Sequence, residues 1–293
     1  AARPELAFTR ETPFLWAEGS SLVSGKRTYV PAQTISGLSP PGSTYQNPWG
    51  EPLIRNRHTV GLATWPTKIG AQLAGALECV EREAYMILWF NQLTLPRLDL
   101  TDIRRQHPEL SRFIEACEKY RFKVHVIPMP TDAPTYALCT ILEDLSGCAP
   151  RFALGLKAHR HLPYAIEKSL LEALRAHRSA RHYADQVPMD KKMRKQDLGH
   201  HDRLRYWALE ENARKLEFLV QGAIHEPVPN AWDTDSEEKH LARIIAWCRE
   251  NAFECVSVPL THSKKNPTRL HVEMVVIPEL QPTHLFERHL ALG

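Results

Sequence analysis

The chain has 293 residues, with 37 Lys and Arg against 34 Asp and Glu and a formal net charge of +3. That near balance argues for no polyanionic partner, and 43% hydrophobic with 24% charged residues is ordinary for a globular protein with a substantial core. No apolar run approaches the ~20 residues of a membrane span, and Ala1-Ala2-Arg3-Pro4 opens no stretch of signal-peptide type.

The first 65 residues are rich in Pro, Gly, Ser and Thr and read as short strands joined by turns. Tyr29-Val30 and His58-Thr59-Val60 are strand pieces; Pro40-Pro41-Gly42-Ser43 and Asn47-Pro48-Trp49-Gly50 are turn chemistry. Thr67 caps a helix whose apolar positions, Ile69 through Leu88, recur at helical spacing. Leu110 to Tyr120 is a second helix, and Lys123 to Pro128, Tyr136 to Leu142 and Arg151 to Leu156 are strands. Pro163 starts a long helix through about Tyr183, a position that suits proline. A charged helix covers Asp202 to Val220 and another Ser236 to Asn251, before the strands Ala252 to Val258 and Leu270 to Ile277. Because strands do not alternate regularly with helices, the pattern predicts an α/β fold, α+β-like, with mixed, largely antiparallel sheets and packed helices. The run Lys191-Lys192-Met193-Arg194-Lys195 reads as a solvated connection, so no nucleic-acid surface is expected.

Six scattered cysteines form no Cys-x-x-Cys pair and imply a reducing, cytoplasmic setting. His159-Arg160-His161 and His200-His201 lack zinc-site spacing. P-loop, dinucleotide-fold and nucleophile-elbow motifs are all missing.

The most informative segment runs from Gly61-Leu62-Ala63 through Thr67 to Glu78-Cys79-Val80-Glu81-Arg82-Glu83-Ala84. Residues three apart share a helix side, so Glu78 and Glu81 point together, with Arg82 four beyond Glu78. Seen alone, an ion pair on an exposed face is the commoner meaning of Glu-x-x-Glu-Arg. The functional reading is a divalent cation, since Mg²⁺ takes hard oxygens and shares them with nucleotide phosphates.

The segment resembles the signature of the YcaO family, in which a Gly-Leu-Ala-x-x-x-Thr turn leads into a helix ending Glu-x-x-Glu-Arg. Trp16-Ala-Glu-Gly-Ser-Ser-Leu-Val-Ser-Gly25 with Val30-Pro31-Ala32 is similar to the family's preceding segment, and Leu270 to Pro282 with Leu292-Gly293 to its closing strand. The resemblance runs from about Trp16 to Gly293 and implies one YcaO-type catalytic domain over residues 1–293. The resemblance also implies that a C-terminal proline-rich tail is absent from the chain, and the missing initiator Met that upstream sequence is. Glu78 and Glu81 would hold Mg²⁺ against ATP, with Glu172 from a second helix as a further metal ligand. Arg82, Lys168 and Arg175 would be ATP-binding. Lys168 and Arg175 replace the family's Ser and Gln, and Ala74 stands where many members have Ser.

By resemblance, the activity is ATP- and Mg²⁺-dependent phosphorylation of peptide backbone amides. Azoline-forming cyclodehydration of Cys, Ser or Thr in a ribosomal precursor peptide is the leading form. Thioamide formation, an accessory role in modifying ribosomal proteins, and a non-catalytic peptide-binding scaffold are the alternatives. The expected partners are the precursor peptide and a leader-binding protein or domain, with a homodimer left open. No residue presents itself as a general base. The three glutamates are expected to converge on one cavity.

Overall fold

In the computed structural model, residues 9–35, 51–52, 54, 58–186, 200–227, 232–261 and 269–283 are described. The first half runs β1 (Trp16–Ser21), β2 (Arg27–Pro31), β3 (Leu62–Trp65), α1 (Lys68–Phe90), β4 (Arg97–Leu98), α2 (Thr101–Gln106), α3 (Pro108–Lys119), β5 (Phe122–Pro128) and β6 (Tyr136–Asp144). It continues with β7 (Phe152–His159), α4 (Leu162–Gln186), α5 (His200–Ala208), α6 (Glu210–Ala213), β8 (Ile224–His225), α7 (Glu237–Glu250), β9 (Val256–Pro259) and β10 (His271–Val276). The sheets are antiparallel except for the short parallel pair β4–β8, as the strand pattern predicts.

Two compact units divide the chain after Cys79 and after Asp235, so α1 starts in the first and ends in the second. The first unit is built on one sheet in the order β2-β1-β9-β10-β3. Alternation puts Val256, Val258, Met274 and Val276 on one face, against Ala17, Val30 and Ile35. On the opposite face Ser257 donates to Glu273 at 2.6 Å, and Gln72 of α1 donates to Ser257 at 3.2 Å. The buried Glu273 carboxylate thus lies in a polar chain rather than in hydrocarbon.

In the second unit the sheet β5-β6-β7 is covered on both faces. Ala137, Cys139, Ile141 and Leu156 pack with Ala84, Tyr85 and Leu88 of α1. Leu138 and Leu142 pack with Ile166, Leu170 and Ala173 of α4. α4 approaches β7 so closely because residue 155 is glycine. A Cβ there would lie 2.1 Å from the Ser169 carbonyl oxygen and 2.8 Å from the Glu172 Cβ.

Several elements differ from the sequence reading. His58-Thr59-Val60 is not a strand: Leu62 N–H donates to Thr59 O at 2.9 Å in a turn that needs Gly61 at φ +88°, and the strand begins after it. Residues 202–220 are not one helix, because Leu209 is extended (φ −67°, ψ 133°) and ends α5, while Arg214–Val220 is 3₁₀. Ala252 adopts φ +57° and closes α7, so β9 starts at Val256 rather than at Ala252. The turns at 40–43 and 47–50, the basic run 191–195 and Leu292-Gly293 lie outside the described residues. No helix among the described residues is long and apolar enough to cross a membrane.

Candidate functional site

Thr67 caps α1 as its position predicts, accepting the Gly70 N–H on its hydroxyl at 3.0 Å. From this start, Glu78 arrives beside the turn that precedes β3. Its Oε2 accepts the Gly61 N–H at 3.1 Å, so the glycine turn and the first glutamate of the motif form one local structure in the first unit. A Cβ on residue 61 would meet the Val275 carbonyl oxygen at 1.9 Å.

The second unit brings Glu81 and Glu172 together. β7 is the end strand of its sheet, and the N–H groups of Leu156 and Ala158, two residues apart, point the same way, out of the sheet. Glu81 reaches round from α1 to accept Ala158 N–H at 2.7 Å, and Glu172 reaches round from α4 to accept Leu156 N–H at 2.9 Å. Each uses Oε2, and each turns Oε1 toward the Arg82 guanidinium, at 3.2 Å for Glu81 and 3.9 Å for Glu172. Two carboxylates from opposite faces of a sheet therefore share one arginine at its free edge.

Burial pushes the Glu172 carboxyl above the ordinary carboxylate value of 4.5. Arg82 opposes that rise, the charge of Glu81 adds to it, and the Leu156 N–H and Lys157 oppose it further. Cys139, fully buried beneath the pair, is pushed far up by burial and by both carboxylates, which makes it an inert thiol. Beyond Ala158, His159 is held down to about 3 by burial, with Arg160, His161 and Lys157 adding to the effect. It is a neutral ring whose Nδ1 accepts the His161 N–H at 3.1 Å and whose face lies 4.3 Å from that of Tyr164.

The other expected residues separate by role. Lys168 pairs with its neighbour Glu167 at 2.7 Å and lies 5.0 Å above the Tyr164 ring. Arg175 is exposed, two turns along the same stripe of α4. Sequence reasoning missed Lys157, whose charge Glu172 feels, and the two edge amides, which carry no side-chain signature. Gly155 was the available signal, since glycine inside a strand marks close approach of another backbone.

The donor set suits Mg²⁺, being hard carboxylate oxygens in surplus over their one arginine. Among the described residues, no three His, Cys, Asp or Glu side chains gather as a metal-holding group. The carboxylate pair would thus share an ion with phosphate oxygens rather than enclose it.

A family model described as YcaO cyclodehydratase, ATP- and Mg²⁺-binding, matches residues 2–281. No curated protein matches the sequence. Among solved structures, a heterocyclase in complex with substrate and cofactor is similar at TM-score 0.69 and 20% identity, over 91% of this chain and 33% of that one. YcaO from Methanopyrus kandleri, bound with AMPPCP and Mg²⁺, gives TM-score 0.67 and 21% identity, over 94% of this chain and 70% of that one. The Escherichia coli microcin synthetase McbBCD complex with pro-MccB17 bound gives 0.63 and 13%, over 91% and 64%. The chain spans about a third of the first of these, and the likenesses are of fold.

Proposed function

The chain belongs to the YcaO family, and from that premise we propose that it activates peptide backbone amides by ATP- and Mg²⁺-dependent phosphorylation, as a cyclodehydratase forming azolines from Cys, Ser or Thr. One observation carries the reading: Glu81 and Glu172 meet at the free edge of β7 with Arg82 between them.

The residues of this chain do positioning and charge work there. The β7 amides hold one oxygen of each carboxylate and leave Oε1 of each to a cation. Arg82 lies against those same oxygens, would share them with the metal, and is assigned to the ATP phosphates by its place in the motif. Glu78, whose Oε2 accepts the Gly61 N–H in the first unit, is assigned to Mg²⁺ by its place in the motif. Lys157 and Arg175 supply positive charge along β7 and α4 for a polyphosphate, and Lys168 would join them only by leaving Glu167. Mg²⁺, when bound, neutralises charge on a transferring phosphoryl group, which is most of what such chemistry needs from a protein. The substrate is a ribosomal precursor peptide delivered by a leader-binding partner, in the cytoplasm; the microcin synthetase, a complex solved with pro-MccB17, supports that arrangement.

A second reading is a non-catalytic peptide-binding subunit. It is favoured by Lys168, which is spent on Glu167 and Tyr164 rather than on the carboxylate pair. The test is ADP release by the protein with its partner and peptide, beside a calorimetric titration of ATP with Mg²⁺. Glu78→Gln, Glu81→Gln and Glu172→Gln are each expected to lower turnover a hundredfold or more, on the order of 3 kcal/mol. Near wild-type turnover in all three would make the carboxylates purely structural. Absence of nucleotide binding by the wild type would establish the second reading.

A further inference from the structure

We infer that a cavity in the second unit, lined by none of Glu81, Arg82 or Glu172, binds a small apolar monocarboxylate whose charged end meets Arg97. The cavity has a volume of about 360 Å³, near the lower end for small-ligand sites, roughly 300–1,000 Å³. Pro96, Leu98, Pro128, Leu138 and Leu162 give it a hydrocarbon wall. The charges on its lining are those of Arg97 and of Glu226, which is exposed.

Backbone pairing fixes Arg97 in place. β4 and β8 run parallel, and Arg97 N–H donates to Ala223 O at 2.7 Å. Gly222 permits this approach, since a Cβ there would lie 1.8 Å from the Leu95 carbonyl oxygen. Gly222 O then accepts from Arg97 Nε at 2.8 Å, and Arg97 Nη1 donates to His125 Nδ1 at 2.9 Å. Both acceptors are uncharged, because burial lowers the His125 pKa and keeps the ring neutral at pH 7. Glu143 stands behind that ring, on Nε2 at 3.0 Å, and is shared with Arg151. Among the described residues Arg97 has no ion pair, and its Nη2 has no acceptor.

A half-buried guanidinium against hydrocarbon, with neutral partners only, lacks the anion that such a charge ordinarily faces. Nη2 brings two further N–H donors, and a carboxylate takes them as charge-assisted hydrogen bonds. The proline and leucine wall then covers an apolar body. Glu226 opposes a second negative charge, which favours a monocarboxylate over a phosphate ester. The wall's side chains offer nothing to peptide N–H groups, so a free acid suits the cavity better than a chain terminus.

Octanoate, titrated into the whole protein by calorimetry, tests this. It should bind saturably, and octanamide, which keeps the shape and removes only the charge, should bind at least tenfold more weakly. Arg97→Gln should also weaken octanoate at least tenfold, whereas saturating ATP with Mg²⁺ should leave its affinity unchanged. No saturable binding, equal affinity for octanamide, or full affinity in a folded Arg97→Gln protein would each overturn the assignment. Should that variant fail to fold, octanamide still decides, because it leaves the protein unaltered. Displacement by ATP would move octanoate to the β7 edge, and tighter binding of N-acetyl-leucine would make this a site for chain termini; either result also overturns the assignment. None of these outcomes depends on whether the chain turns ATP over.

Discussion

On the proposed assignment, a proton and Mg²⁺ compete for the Glu172 carboxylate. Its raised pKa means that ionisation is harder in the folded protein than in the unfolded chain, chiefly through burial. The stability linked to this group is therefore present below its unfolded value near 4.5 and is lost as pH rises through the higher folded value. A bound cation restores it by neutralising the ionised form. We expect affinity for Mg²⁺ with ATP to weaken on acidification at a higher pH than an ordinary glutamate would cause. Glu172→Gln should remove that part of the profile in calorimetric titrations across pH. The partner position behaves differently. Reasoned from sequence, Glu78 and Glu81 repel each other and a Gln change at either is nearly neutral for stability. In the structure each holds a backbone N–H, and Glu81 is 3% exposed against Arg82. Glu81→Gln is thus expected to lower stability by about 1 kcal/mol as well as impairing turnover.

Between elements, the contact that matters most is α4 on β7. Gly155→Ala places a methyl 2.1 Å from a helix carbonyl, so the helix must move, and Glu172 moves with it. We expect a loss of about 1–3 kcal/mol in a urea melt, together with faster hydrogen exchange at Leu156 N–H, which Glu172 covers. The helices of this contact were legible in the sequence because they are long and periodic. Thr67 caps α1, Ser236 caps α7 by accepting Lys239 N–H at 3.3 Å, and Pro108 sits in the first turn of α3. What escaped notice is short or depends on single backbone angles. β4 and β8 have two residues each and exist only as partners. The break at Leu209 occurs inside an unbroken charged, helix-forming run, so tertiary packing decides it. At the site, the shared side of Glu78 and Glu81 was readable from their spacing, and Glu172 only from the family resemblance. Their acceptance of edge amides was not, because which strand ends a sheet is settled by residues far apart in the chain.

For the whole molecule, buried neutral imidazoles set the response to acid. His125 accepts from Arg97 on Nδ1, placing its proton on Nε2, 3.0 Å from Glu143; His177 lies 3.1 Å from Asp144. Burial lowers both, despite those carboxylates, and lowers His159 to about 3. Each is a base with a depressed folded pKa, so its contribution is complete above the unfolded value of 6.5 and is lost as pH falls toward the folded value. Stability is expected to decline from about pH 6.5 downward. His159→Gln should recover about 2 kcal/mol of the loss at pH 4.5, allowing for partial exposure, in urea denaturation at pH 7 and 4.5. The closed edge of β7 has one more consequence. An end strand with free amides is a template onto which another chain can zip, the first step of fibril growth. Here consecutive outward amides are already taken, and by acceptors whose negative charge repels an incoming carbonyl. The carboxylates proposed for chemistry would therefore also act as gatekeepers against strand addition at Leu156 and Ala158 of β7.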